Sequence, residues 1–205
     1  MTYQVVSVVP QDKKKVKICL DNSDSFILYK GEAMKLSLFE NEVFDEVKYQ
    51  QIINDILGKR ATKRAMHLLE RQERTEKQLR DKLQQNGYPL QCIEQAIAYV
   101  KLYHYIDDYR YASTYIRYHQ EKESRHKLTQ KLMMRGISKE LIEVALEEEF
   151  VTDEGMQIKE LLRKRRFDPE TADEATRRKT AQFLMRKGFK TSDIFRIMRY
   201  EEILY

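Results

Sequence analysis

The 205-residue sequence has no tryptophan, three prolines, six glycines and two cysteines. Each shortage excludes a class of protein. So little proline and glycine rules out collagen-like chains and low-complexity linkers. Cys19 and Cys92 lie 73 positions apart with no CxxC spacing, which excludes a disulfide scaffold and fits buried or idle thiols in a reducing cytoplasm. No apolar run approaches the roughly 18 residues of a membrane span, and the opening MTYQVVSVVPQDKKK lacks the order of a signal peptide. A cytoplasmic protein with no membrane contact is expected. The patterns GxxxxGK[ST], GxGxxG and GxSxG are missing, so phosphate-loop, dinucleotide and hydrolase chemistries have no support. His67, His104, His119 and His126 show no HExxH or other ligand spacing. No catalytic residue, metal or cofactor is expected.

What the chain does have is charge. Charged residues make up 35% and hydrophobic residues 41%, the balance of helices with long solvated faces. Residues 1–57 carry a net charge of −2 and residues 58–205 a net of +7, so the helical part is the basic part. That asymmetry points toward a polyanionic partner.

Val5–Val9, Val16–Leu20 and Ser25–Tyr29 are β-branched or alternating runs separated by QDKKK and DNSD, both turn-forming. They predict a hairpin or three-stranded meander, with Leu36–Leu38 as a further short strand. So small a sheet must rest on the helices that follow. The segment is expected to dock or cap, without chemistry of its own.

From Lys59 the periodicity is helical, and three glycines, Gly87, Gly136 and Gly188, align it. Four residues before each stands Leu83, Leu132 or Leu184, and one residue after stands Tyr88, Ile137 or Phe189. Ile93, Ile142 and Ile194 follow at plus six, and Ile97, Leu146 and Met198 at plus ten. Leu79 and Leu128 stand at minus eight, where the third copy departs with Thr180. The glycines are 49 and 52 residues apart, a period that indicates repeated supersecondary units. Each glycine is expected at the left-handed C′ position of a helix, closed by the apolar residue after it. Thr75 and Ser124 are predicted N-caps of the middle helices, and Ser138 and Thr191 or Ser192 of the last ones. Leading helices are expected over Ala61–Gln72, Asp108–Lys122 and Asp153–Arg166. The fold class is therefore mainly α: a small N-terminal β-rich element with a lead-in helix (1–57), then tandem three-helix repeats over 58–106, 107–151 and 152–205. Stacked repeats predict an elongated, curved array.

The segments that carry a resemblance are LLERQERTEKQLRDKLQQNGY (Leu68–Tyr88), YIDDYRYAS (Tyr105–Ser113), SRHKLTQKLMMRGI (Ser124–Ile137), LLRKRRF (Leu161–Phe167) and FLMRKGF (Phe183–Phe189). In that order, over nearly the whole chain, they resemble the RecX family of recombination regulators. The resemblance implies a bacterial cytoplasmic regulator that binds the RecA filament. It would restrain strand exchange, ATP hydrolysis and the coprotease function, in DNA repair and the SOS response. It also implies a monomer with no cofactor, touching single- or double-stranded DNA non-specifically.

The candidate RecA- or DNA-binding residues are basic side chains near the helix junctions. They are Arg71, Arg74, Lys77 and Arg80 in the first repeat, Arg110, Arg117, Arg125, Lys131 and Arg135 in the second, and Arg186 and Lys187 in the third. Arg71 and Arg74 lead, because motif and charge coincide there; at a spacing of three they are expected on one helix face. Arginine forks also suit phosphate or carboxylate. Four consecutive cations at Arg163–Arg166 cannot share a face, so some are solvated. Tyr99, Tyr103, Tyr105, Tyr109, Tyr111, Tyr115 and Tyr118 concentrate where repeats one and two meet, and are expected to pack between repeats rather than stack on bases. Two further readings compete. A three-helix unit could read duplex DNA as a helix-turn-helix module. Asp107, Asp108 and His104 could hold a divalent ion for nuclease chemistry, although helix capping explains the aspartates more simply.

Overall fold

A computed structural model describes residues 1–198 in full atomic detail. The chain divides into two compact units, 1–107 and 108–205.

The first unit opens with strands β1 (Thr2–Pro10), β2 (Lys15–Leu20) and β3 (Ser25–Tyr29), joined as antiparallel neighbours. Burial alternates along β2 and β3, so one face of the sheet is apolar and the other is wet. The sequence did not signal two elements. Lys30–Lys35 forms a short helix, α1, and Val43–Asp45 forms β4, giving the sheet order β3-β2-β1-β4. The strand expected at Leu36–Leu38 does not form. Leu36 ends α1, Ser37 turns back at φ +49°, and Leu38 plugs the core from that turn.

Asp45 caps the short helix α2 (Glu46–Gln50) by accepting from the Lys48 amide at 2.9 Å. The helix runs on through a π-helical stretch, Gln51–Gly58, into α3 (Lys59–Arg71). Then come α4 (Glu76–Gln85) and α5 (Leu90–Leu102). Sheet and helices share one core, in which Ile18, Phe26 and Leu28 join Ile52, Ala65, Leu79 and Ile97. The small sheet is therefore stabilised by the first repeat, as its size required.

The second unit contains α6 (Asp108–His119), α7 (Arg125–Met134) and α8 (Lys139–Glu149), around Ile116, Leu128, Leu132 and Ile142. It continues with α9 (Glu154–Lys164), α10 (Glu174–Arg186) and α11 (Thr191–Met198), around Ile158, Leu184, Phe189 and Ile194.

The repeat pattern is realised as local chemistry. Gly87, Gly136 and Gly188 have φ of +79°, +86° and +88°. In each copy the residue after the glycine donates its amide to the leucine four before the glycine: Tyr88 to Leu83, Ile137 to Leu132, and Phe189 to Leu184. The glycine itself donates to the residue three before it, which completes a Schellman cap. Thr75, Ser124 and Ser138 accept from the amides three residues on, as N-caps do. The expected cap at Thr191 or Ser192 does not form. α11 begins at Thr191, and the Ile194 amide bonds the Lys190 carbonyl, so the helix starts before either hydroxyl could cap it. Thr180 is buried in α10 at the position that leucine fills in the other copies.

Candidate nucleic-acid and protein-binding surfaces

In the first repeat, α3 ends at Arg71, and Gln72 is extended at φ −162°. Arg71 therefore stands on the last helical turn while Arg74 lies in the connecting loop, and the shared helix face expected of them does not exist. The chain leaves the helix there because Thr75 must cap α4. Arg71 is exposed; Arg74 is half-buried, and its Nε has no hydrogen-bond partner among the described residues.

Lys77 and Arg80 are both paired within the chain, Lys77 on the exposed surface and Arg80 partly buried. Lys77 pairs with Asp81 at 2.8 Å along α4. Arg80 forks onto Glu94 of α5 at 2.6 and 2.9 Å and also bonds Glu76 at 2.8 Å. The Glu94 bonds, opposed by partial burial, push the guanidinium pKa upward. Partial burial alone would raise Glu76, but bonds from Lys101 and Arg80 outweigh it and hold Glu76 below the usual carboxylate range. This network ties α4 to α5 and leaves Arg80 little charge to offer outward.

In the second repeat, Arg117 pairs with Glu149 at 2.7 Å. Arg135 lies 4.5 Å over the Tyr115 ring and donates to the Lys131 carbonyl at 2.8 Å. Arg110 is exposed near the start of α6. Arg125 opens α7, its amide accepted by Glu154 at 2.8 Å and its side chain without an ion pair among the described residues. Lys131 bonds Glu123, which raises the lysine's pKa.

The strongest convergence lies between repeats two and three, inside the second unit. Lys127, Lys131, Arg186 and Lys187 line a cleft of about 350 Å³ with Glu123 and Phe183. Lys187 Nζ sits 5.8 Å from the Phe183 ring centre, and Arg165 lies over the same ring at 4.3 Å. One bond sets this geometry. Ser124 Oγ, already the N-cap of α7, donates to the Lys187 carbonyl at 3.0 Å. The end of α10 is thus fixed against the start of α7, which brings cations 60 residues apart into one groove. Lys127, Arg186 and Lys187 make no ion pair among the described residues, whereas Glu123 offsets Lys131.

A second basic cleft, of about 490 Å³, lies in the first unit between the sheet and α3, lined by Lys15, Arg60, Lys63, Arg64 and His67 with Tyr29 and Tyr88. Sequence reasoning missed it. The signal was present as Arg60, Lys63, Arg64 and His67 at i, i+3, i+4, i+7, but the wall supplied by β2 and β3 depends on tertiary packing.

The tyrosines split by role. Tyr111 and Tyr115 stack at 6.4 Å and pack on the core of their own repeat, and Tyr109 bonds Glu148 there. Tyr99, Tyr103 and Tyr105 form a chain of ring contacts at the end of α5. Asp107 immediately precedes α6, whose first residue is Asp108. Among the described residues no three His, Cys, Asp or Glu side chains gather as metal ligands. Nor is any described helix long and apolar enough to cross a membrane.

Comparison with known proteins agrees with this architecture. Three family models, described as the first, second and third three-helix domains of RecX, match residues 61–99, 107–146 and 153–198. The chain belongs to the RecX family. The regulatory protein RecX of Caldanaerobacter subterraneus is 26% identical over 93% of this chain and 95% of its own. That of Clostridium acetobutylicum is 26% identical over 95% and 94% respectively. A crystal structure of a regulatory protein RecX superposes with a TM-score of 0.63 at 24% identity, covering 96% of this chain and 98% of the other. RecX from Lactobacillus salivarius gives 0.56 at 23% identity over 69% of this chain and 94% of its own. Membership of the RecX family carries a regulatory role for the chain.

Proposed function

We propose that this RecX family member regulates the RecA recombinase in the cytoplasm by binding the RecA–DNA filament as a monomer, restraining strand exchange, ATP hydrolysis and coprotease activity. It acts as a binding protein, without a catalytic centre or cofactor. The observation that carries this reading is the groove of Lys127, Lys131, Arg186 and Lys187, a cationic site that requires two repeats to be folded together. Unpaired cations beside an aromatic ring attract phosphate or clustered carboxylate, and lysine and arginine hold such groups through charge-assisted bonds. Arg71, Arg74 and Arg125 extend the basic surface; Arg110, Arg117 and Arg135 contribute field more than direct contact. Lys77 and Arg80 support the scaffold.

The test is RecA-dependent strand exchange and ATP hydrolysis with the full chain added. Inhibition at or below equimolar protein, reduced about ten-fold by Lys127→Glu/Arg186→Glu, is expected. Unchanged rates at equimolar protein would remove RecA from the reading. Sequence-specific duplex binding that persists without RecA would favour a helix-turn-helix reader instead.

A further inference from the structure

The N-terminal sheet has no role in the reading above beyond stability, yet it completes the first unit's basic cleft. Arg60, Lys63, Arg64, His67 and Arg71 all lie on α3. At 3.6 residues per turn their positions fall within an arc of about 100°. Ala61, Ala65 and Leu68 form the neighbouring face, and they are buried in the core. The cationic stripe is therefore held at a fixed angle to the protein. From Arg60 to Arg71 it runs about 16 Å, at roughly 1.5 Å per residue.

The sheet supplies the opposite wall. Lys15 of β2 lies 5.7 Å from the Tyr29 ring, and Arg60 lies 4.8 Å from the same ring. Arg60 also pairs with Glu32 of α1, so its charge is largely answered within the chain. Lys63 and Arg64 are not answered in this way: neither makes an ion pair among the described residues. Arg64 Nε is buried and has no acceptor among the described residues, so its charge is not answered within the chain. The floor is rigid. A Cβ on Gly87 would come within 2.5 Å of Ile27 Cδ1, so the first repeat's cap turn rests directly on β3.

We propose that this cleft binds the phosphodiester backbone of single-stranded nucleic acid, with Lys63 and Arg64 as direct phosphate ligands, Lys15 flanking them and Arg71 continuing the track. Single-file spacing favours a strand over a folded acidic protein. A helix stripe of about 16 Å can follow several successive phosphates along one strand. The unpaired Lys63 ammonium and Arg64 guanidinium line the cleft as cations suited to charge-assisted bonds with phosphate oxygens. The inference rests on the proposed role at DNA-bearing filaments but assigns a separate site, in a different unit.

The experiment is fluorescence anisotropy of a labelled oligothymidylate with the full chain, without RecA, across a salt series. Lys63→Glu/Arg64→Glu is expected to weaken binding more than about ten-fold. The slope of log affinity against log salt should fall by about 1.4, at roughly 0.7 per lost phosphate contact on a single strand. Lys15→Gln, on the opposite wall, should give a smaller loss in the same direction with helicity unchanged. Lys159→Glu/Lys179→Glu, at exposed positions of the other unit outside its groove, should keep most of the affinity. Parental affinity and slope in Lys63→Glu/Arg64→Glu, or displacement of the oligonucleotide by polyglutamate at equal charge, would overturn the proposal. Loss of RecA inhibition with oligothymidylate binding intact would count against the proposed function and leave this site standing.

Discussion

Gly188→Ala should cost more than the same change at Gly87, although both glycines close a helix in the same way. The left-handed conformation at φ +88° costs an alanine about 1–2 kcal/mol. Gly87, at φ +79°, carries the same penalty. The difference lies in what a new Cβ would meet. At Gly87 it meets Ile27 Cδ1 at 2.5 Å, the end of a side chain that can rotate aside. At Gly188 it meets Ser124 Oγ at 2.5 Å and the Lys127 amide nitrogen at 3.2 Å. Ser124 cannot retreat by about 1 Å without loosening both its bond to the Lys187 carbonyl and its cap on α7, each worth about 1 kcal/mol. Gly188→Ala should therefore cost about 3 kcal/mol and Gly87→Ala about 1–2 kcal/mol. A double-mutant cycle with Ser124→Ala sharpens the test. Removing Oγ relieves the clash and forfeits the bonds beforehand, so the two changes should fall short of additivity by about 1–2 kcal/mol. Urea titration followed at 222 nm, with hydrogen exchange of α7 and α10 amides, reports both quantities. Equal costs at the two glycines, or an additive cycle, would refute the claim that Ser124 latches the third repeat onto the second.

Three other outcomes follow from local geometry. Arg166 ends α9 at φ +53°, with the Phe167 amide bonded to the Leu162 carbonyl at 3.0 Å. Arg166→Gly should therefore raise stability by about 0.5–1 kcal/mol in thermal melts, net of glycine's freedom in the unfolded chain. Arg165→Gly should lower it, since that residue is right-handed and packs over Phe183. Arg80→Gln should cost about 1 kcal/mol, discounted for partial exposure, against a few tenths for Lys77→Ala, because the former ties two helices and the latter is one exposed pair; equal values in urea titration would contradict the network. Burial pushes the Cys92 thiol up to about 11, so at pH 8 about 0.1% is thiolate. Cys19 should react with a chromogenic disulfide reagent well before Cys92, and equal rates in the folded protein would contradict the packing.

The features legible in the sequence were those written within one or two helical turns. A glycine, its flanking leucine and the apolar residue after it form one local hydrogen-bonded cap, so their spacing announced all three repeats. Thr75, Ser124 and Ser138 were equally local. Arg74 misled because a spacing of three implies one face only while the helix lasts, and the capping box at Thr75 with Gln78 stops it first. β4 was hidden because three residues, Val43–Asp45, carry little pattern and are extended by pairing with β1 across some forty positions. The basic cleft of the first unit was hidden for a related reason. Its α3 cations were visible as a stripe, but nothing local says that a sheet from the opposite-charged segment will wall it.

Raw charge therefore overstates the binding surface, and pairing within the fold determines what remains available. Arg80, Arg117, Lys131, Arg163 and Arg178 are matched by Glu94, Glu149, Glu123, Glu160 and Glu174. Among the described residues, the candidate cations that make no ion pair include Lys63, Arg64, Arg71 and Arg74 in the first unit, and Arg125, Lys127, Arg186 and Lys187 in the second. Each group depends on a contact between segments far apart in sequence: β3 against the Gly87 turn, and Ser124 against the end of α10. This dependence separates two kinds of lesion that an activity assay alone would confuse. A charge substitution removes counterion release and flattens the salt dependence while the fold stands. A latch substitution such as Gly188→Ala preserves every charge, so the molecules that remain folded should bind with the parental salt slope.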